Sequence, residues 1–238
     1  MLDGRLTSEV DGEIDVIAQW TLPDELTTTD TGPAAEVLSN YFHTMLDDGV
    51  PYYSGAMFET IAGGGDAPEI VNAFTAADLV AVSLLSVDVP GTAALRLLGT
   101  KAEDLTALLA KVPSDRELRD ATEGEIGPGS AADDLWRVVR KSGVGPVTTS
   151  KLLARKRPRL LPVIDSVVKE MLGHPAKASF WLTLRAQLNT DGGRLHDHLI
   201  AVREEAGLED RISAIRCFDV VVWMIGKRDG VGESRGRY

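Results

Sequence analysis

Ser142-Gly143-Val144-Gly145-Pro146 and, after about twenty residues, Pro162-Val163-Ile164-Asp165-Ser166-Val167-Val168 decide how this chain is read. Before the first of them, Asp134 to Lys141 has a helical pattern with Leu135, Val138 and Val139 on one face. Ser142-Gly143 ends that helix, as glycine commonly does at a helix C-terminus. Gly145 suits close backbone approach, and Pro146 suits the first turn of a new helix running from Thr148 to Ala154. Residues 131–155 therefore read as two helices joined by a Gly-Val-Gly turn. Such a turn offers backbone N–H groups to a phosphate, and it also serves as an ordinary αα-hairpin in a helical core.

Charge sets this stretch apart. The chain has 238 residues, 25 Lys and Arg against 36 Asp and Glu, and a net charge of −11. Eight of those cations fall between Trp136 and Leu160, a window with no acid: Arg137, Arg140, Lys141, Lys151, Arg155, Lys156, Arg157 and Arg159. A polyanion would be drawn to this region and repelled elsewhere. Nucleic acid, held by its backbone, is the expected partner. Contacts are expected from Gly143, Val144, Gly145, Thr148, Arg137, Arg140, Lys151, Arg155, Lys156 and Arg157.

Gly143-Val144-Gly145-Pro146-Val147-Thr148-Thr149 resembles the hairpin of the helix-hairpin-helix DNA glycosylase superfamily. The interval from Gly145 to Asp165 matches that family's spacing to its catalytic Asp, and Pro162 to Lys169 is similar to the adenine-mismatch branch. The resemblance implies an all-α, glycosylase-like fold of two helical subdomains with a base pocket between them, and double-stranded DNA as the nucleic acid held. It implies Asp165 as the carboxylate that stabilises the sugar cation while a damaged, mismatched or modified base leaves, modified phage DNA being one source. Val147 stands where lyase-type members carry a Schiff-base Lys, so a monofunctional enzyme is implied. Cys217 alone cannot hold the iron–sulfur cluster of some members. The turn that fills the space of a flipped base is expected near Leu85-Ser86-Val87-Asp88 and is not recognisable there. The whole chain also resembles an uncharacterised bacterial family sharing Tyr53-Ser54-Gly55-x-x-Phe58-Glu59 and the run Thr75 to Val82.

Other readings stay open beside this one. Asp165 precedes a plausible helix and is equally suited to be its N-cap. A non-catalytic module binding DNA or another protein would carry the same hairpin. Tyr52, Tyr53, Phe58 and Asp66 are candidates for a base pocket, while such aromatics more often belong to the core. Glu59 and Asp88 are candidate second carboxylates, and Trp223 reads as core. His196 and His198 are two residues apart, on different sides of a helix, so no metal is expected. Gly63-Gly64-Gly65 lacks the Lys-Ser/Thr of a phosphate loop, and no cofactor is expected.

Period-2 strands are absent, and about ten helices are expected. Residues 1–32 read as a polar arm anchored by Val16 to Trp20, and 33–238 as the helical region. Helices are expected over Pro33–Leu46, from a Thr75 capping box to Ser86, and over Thr92–Leu98, Ala102–Lys111 and Ser114–Ala121, the last opened by a capping box of Ser114 and Glu117. A flexible stretch is expected at Gly124–Ser130, and further helices at Lys177–Leu188, Arg194–Glu205 and Asp210–Lys227. One Cys, no signal-peptide pattern and no long apolar run lead to the expectation of a cytoplasmic protein without membrane contact.

Overall fold

The computed structural model describes residues 17–232. Among them the chain is all-α; one isolated antiparallel bridge, Met45 to Pro51, is the sole β feature. The helices are α1 (Asp24–Thr27), α2 (Gly32–His43), α3 (Ala76–Ser83), α4 (Gly91–Leu95), α5 (Ala102–Leu109), α6 (Glu123–Ile126), α7 (Ala131–Lys141), α8 (Pro146–Lys156), α9 (Ser166–Met171), α10 (Phe180–Asn189), α11 (Arg194–Glu205) and α12 (Ala214–Arg228). Helix α8 packs between α3 and α7, and α5 closes on α7. Helix α12 packs against α2, α9 and α11, and α10 lies on α11. The segment from α8 to α9 joins these two groups.

Local chemistry sets most boundaries. The Ser130 hydroxyl accepts the Asp133 N–H to open α7. Asp133 and Asp134 then sit at its positive end and Arg140 and Lys141 at its negative end. Thr75 and Asp78 form the expected capping box at α3, with Asp78 accepting the Thr75 N–H at 2.8 Å. Ser179 and Ser213 cap α10 and α12, so both helices start a few residues later than their apolar patterns suggest. The expected Thr92–Leu98 helix is α4 continued by a π-turn at Arg96–Thr100.

Two expectations fail. Ser114–Ala121 forms only a 3-10 turn, Leu118–Asp120. Glu117 is extended there, and its carboxylate pairs with Arg159 instead of capping a helix through Ser114. Gly124–Ser130 is not without structure: Thr122 and Glu125 make a capping box for α6. The capping rule was sound in both places, and the available partner decided where it applied.

Of the expected arm, residues 1–16 lie outside the described residues. The next few dock firmly. The Ala18 N–H donates to Thr183 Oγ1 at 3.2 Å, and the Trp20 indole donates to His174 Nδ1 at 3.0 Å. Trp20 also packs on Phe180 and Phe218, joining the core built on α10 and α12. Among the described residues no helix is long and apolar enough to cross a membrane.

Candidate functional site

The α7–α8 hairpin forms as its sequence predicts. Gly143 takes φ +99°, a conformation that side chains rarely adopt. Arg96 Nη1 donates to the Ser142 carbonyl at 3.1 Å, and Arg140 Nη1 donates to the Val144 carbonyl at 3.3 Å, so the turn is tied from both sides. Val144 and Thr148 are buried, while Gly143, Gly145, Arg137, Arg140 and Lys141 are exposed. Arg137 is paired with Asp133 and Asp134.

The expected basic surface is largely an interior. Lys151, Arg155, Lys156 and Arg157 are at most 3% exposed. Arg155 pairs with Asp78 and donates to the carbonyls of Phe58 and Ile61. Lys156 reaches Asp78 at 2.8 Å and the carbonyls of Gly65 and Ile70. Arg157 donates to the carbonyls of Val71, Leu109 and Val112 and to Asn72 Oδ1. The physical reason is plain. Residues 58–72 contain little regular structure, so their buried carbonyls need donors, and α8 supplies them. Burial pulls Arg155 and Lys156 below their ordinary pKa and pushes Arg157 down to about 10. The reading of these four side chains as a DNA grip is therefore corrected. Arg159 is likewise taken, by Glu117 and Asp210. Arg140 and Lys141 are what remains for an external anion beside the hairpin backbone.

Asp165 stands where two clefts meet. Its Oδ1 accepts the Val167 N–H at 3.0 Å and caps α9. Its Oδ2 accepts from Lys151 Nζ at 3.2 Å, and the same ammonium donates to the Leu85 carbonyl at 2.8 Å. Ser150 Oγ, one residue before Lys151, accepts the Ile164 N–H and fastens the segment before Asp165 to α8. One cleft, of about 610 Å³, is lined by Tyr41, Tyr52, Tyr53 and Trp223 beside Lys151 and Asp165. The other, of about 540 Å³, is lined by Trp136, Trp181 and His174.

The base-pocket candidates separate. Tyr52 and Tyr53 line the first cleft, with Tyr53 stacked on Tyr41 at 5.1 Å between ring centres. Trp223, expected in the core, is half-buried and completes this wall. Phe58 is core, under the guanidinium groups of Arg155 and Arg216. Asp66 lies apart, beside a cavity of about 10 Å³ shared with Glu59 and Arg155. Ser86, in the span expected to replace a flipped base, has φ +59° and lies on the first cleft's rim.

Sequence reasoning missed the inner end of that cleft. Arg216 pairs with Asp219 and, at 2.7 Å, with Glu59. It also donates to the Gly55 carbonyl at 3.0 Å and to the Tyr41 hydroxyl at 3.2 Å. A Cβ at Gly55 would collide with the Tyr41 hydroxyl, which explains the glycine in Tyr53-Ser54-Gly55. Burial raises Asp219 to about 6 against the pull of Arg216, with the charge of Asp165 adding to the rise. Burial also raises Glu59 and Tyr41. The available signal was two charges three apart inside the apolar run Ala214 to Ile225. Cys217, between them, is buried, its thiol pushed up to about 12, and so unreactive.

A family of unknown function (DUF6308) has a sequence profile that matches residues 34–226. The chain belongs to that family. No curated protein matches it, and no solved structure does. The DUF6308 region holds the hairpin, Lys151, Asp165, Arg216 and Asp219. Trp20 and the segment around it precede that region. Among the described residues of this DUF6308 protein, no three His, Cys, Asp or Glu side chains gather as metal ligands. His196 turns to Arg119 and His198 to the Glu25 carbonyl.

Proposed function

We propose that this protein hydrolyses the N-glycosidic bond of a damaged, mismatched or modified base in DNA. The observation that carries the reading is the Asp165 carboxylate, placed one short segment after the Gly-Val-Gly hairpin on the wall of an aromatic cleft. Breaking the base–sugar bond leaves a cation at the sugar. A fixed carboxylate in a cleft that excludes water stabilises such a cation far better than one in solvent. The Val167 N–H and the Lys151 ammonium hold Asp165 in one orientation. Tyr53 and Trp223 offer faces on which an extruded base can stack. The exposed hairpin backbone, with Arg140 and Lys141, would hold a phosphate. Lys151 directs two of its three N–H donors to Asp165 and Leu85, and Val147 stands where a Schiff-base Lys would be, which fits hydrolysis by water without a lyase step.

A second reading is favoured by a specific observation. Asp165 already caps a helix and pairs with Lys151, and six expected DNA contacts are buried. A non-catalytic binding module would need no more. Incubation of wild type and Asp165→Asn with genomic DNA, including phage DNA with modified cytosines, separates the two. Abasic sites made by wild type and lost in Asp165→Asn support the glycosylase. Salt-sensitive DNA binding without base release supports the module.

A further inference from the structure

Arg216 is the one cation within ion-pair distance of either Glu59 or Asp219 among the described residues. One guanidinium cannot neutralise two buried carboxylates, so one of them favours keeping its proton. The two face different spaces. Glu59 borders the cavity of about 10 Å³, whereas Asp219 lines the large cleft together with Asp165 and Lys151. Arg216 holds Asp219 through Oδ2, and no hydrogen bond among the described residues engages its Oδ1. Of the three carboxylates that line the cleft, Glu170 is exposed on α9, while Asp165 stands beside a cation at the rim and Asp219 lies at the inner end, in unlike surroundings.

We propose that Asp219 is the proton donor to the departing base. This rests on the N-glycosidic reading above. As the bond between C1′ and the base nitrogen breaks, its electron pair goes to the base, and the Asp219 O–H gives that base its proton. The oxygen of a water molecule then bonds to C1′ beside Asp165, and its proton returns to the Asp219 carboxylate. One water is consumed, and a free base and an abasic sugar result. Two carboxylates in unequal environments, one proton-bearing and one charged, form the usual division of labour when a glycosidic bond is cut.

The other groups facing Asp219 set the expected pH behaviour. They are Tyr41 from α2, Lys151 from α8, Asp165 ahead of α9 and Arg216 on α12 itself, with Glu59 reached only through Arg216; Glu170 of α9 and Lys227 of α12 line the same cleft. Arg203 of α11 turns to Asp210 instead. Asp219, raised to about 6 by burial and by Asp165, would lose its proton as pH climbs through that value.

The test is single-turnover base release from the DNAs named above between pH 5 and 8, with wild type, Asp219→Asn and Asp219→Glu. Asparagine keeps an acceptor for Arg216. We expect Asp219→Asn to bind DNA normally, to release base about 100-fold more slowly or worse, and to lack the fall in rate toward high pH. Glutamate should restore part of the rate. If Asp219→Asn keeps both rate and profile while Asp165→Asn is inactive, the glycosylase stands and this role is overturned. If wild type releases no base, the parent reading fails first and this role falls with it. Should Asp219→Asn misfold, Asp219→Glu decides by the pH limb: a moved limb supports the role and an unmoved one overturns it. A carbon-13 carboxyl titration of the wild-type protein in which Asp219 is ionised throughout that range also overturns it.

Discussion

Lys151 and Asp165, 14 residues apart in sequence, meet at 3.2 Å on the wall shared by the α7–α8 hairpin and the aromatic cleft. The contact is the point at which α8 fixes the entry to α9. Lys151 is almost fully buried and Asp165 about one-fifth exposed, so the pair lies between a surface bridge and an interior one. Lys151→Met should cost about 1–3 kcal/mol, because Asp165 and the Leu85 carbonyl both lose a donor. Urea unfolding at neutral pH measures this, and a cost within error of zero would remove the pair as the anchor of α9.

Asp78 is the counter-ion of Arg155 and Lys156 and the N3 partner of Thr75 at once. Asp78→Asn should destabilise by about 3–5 kcal/mol, since two buried cations lose their anion. DNA affinity of the folded fraction should hardly change. Arg140→Ala with Lys141→Ala should do the reverse, leaving stability nearly intact while lowering the salt slope of DNA binding by about 2. An unchanged slope would detach the hairpin from DNA.

His174 accepts the Trp20 indole N–H on Nδ1 and contacts the Ala178 carbonyl through Nε2 at 3.1 Å. Burial, and then the charge of Lys169, lowers its pKa below the usual 6.5. The unfolded chain therefore takes up this proton before the folded one does. The stability contribution is complete above about pH 6.5 and is lost as pH falls from there toward the lowered value. His174→Phe should flatten this dependence, and urea midpoints at pH 7.5 and 5.5 would show it. Equal slopes in both proteins would sink the idea.

Gly226 in α12 lies against α9, where an added Cβ would stand 2.8 Å from Val167 Cγ1. In an open helix Gly→Ala stabilises by about 0.5–1 kcal/mol. Valine cannot turn aside easily, so Gly226→Ala should instead cost about 1–3 kcal/mol. A rise in melting temperature would mean that α9 and α12 pack more loosely than described.

Much of the helical layout was legible because its signals are local. The Thr75–Asp78 box, the Ser142–Pro146 turn and the Asp165 cap each lie within a few residues of what they govern. The destination of the basic stretch was not. Lys151 and Arg155 share a helix face and read equally well as a surface stripe or as buried donors. The deciding partners of Arg155, Lys156 and Arg157, carbonyls of residues 58–72, lie more than 80 residues earlier, and the Leu85 carbonyl that Lys151 meets lies 66 earlier; none carries a signal in sequence. Arg216 and Asp219 were missed for a related reason, since their partner Glu59 is remote and α12 otherwise reads as core. Glu117 shows the converse, a local capping signal overruled by Arg159, a distant cation.

The donors that satisfy residues 58–72 emerge late in synthesis. Arg155 closes on Phe58 across 97 residues, and Lys156 on Gly65 across 91. Until the ribosome has delivered α8, that loop has only its own short turns, and the carbonyls that α8 serves must remain hydrated. The first 150 residues are therefore not a folding unit, and a nascent chain halted before Ser150 should be open to proteases throughout 58–72. Order in this protein runs backward along the chain, from the later helix to the earlier loop.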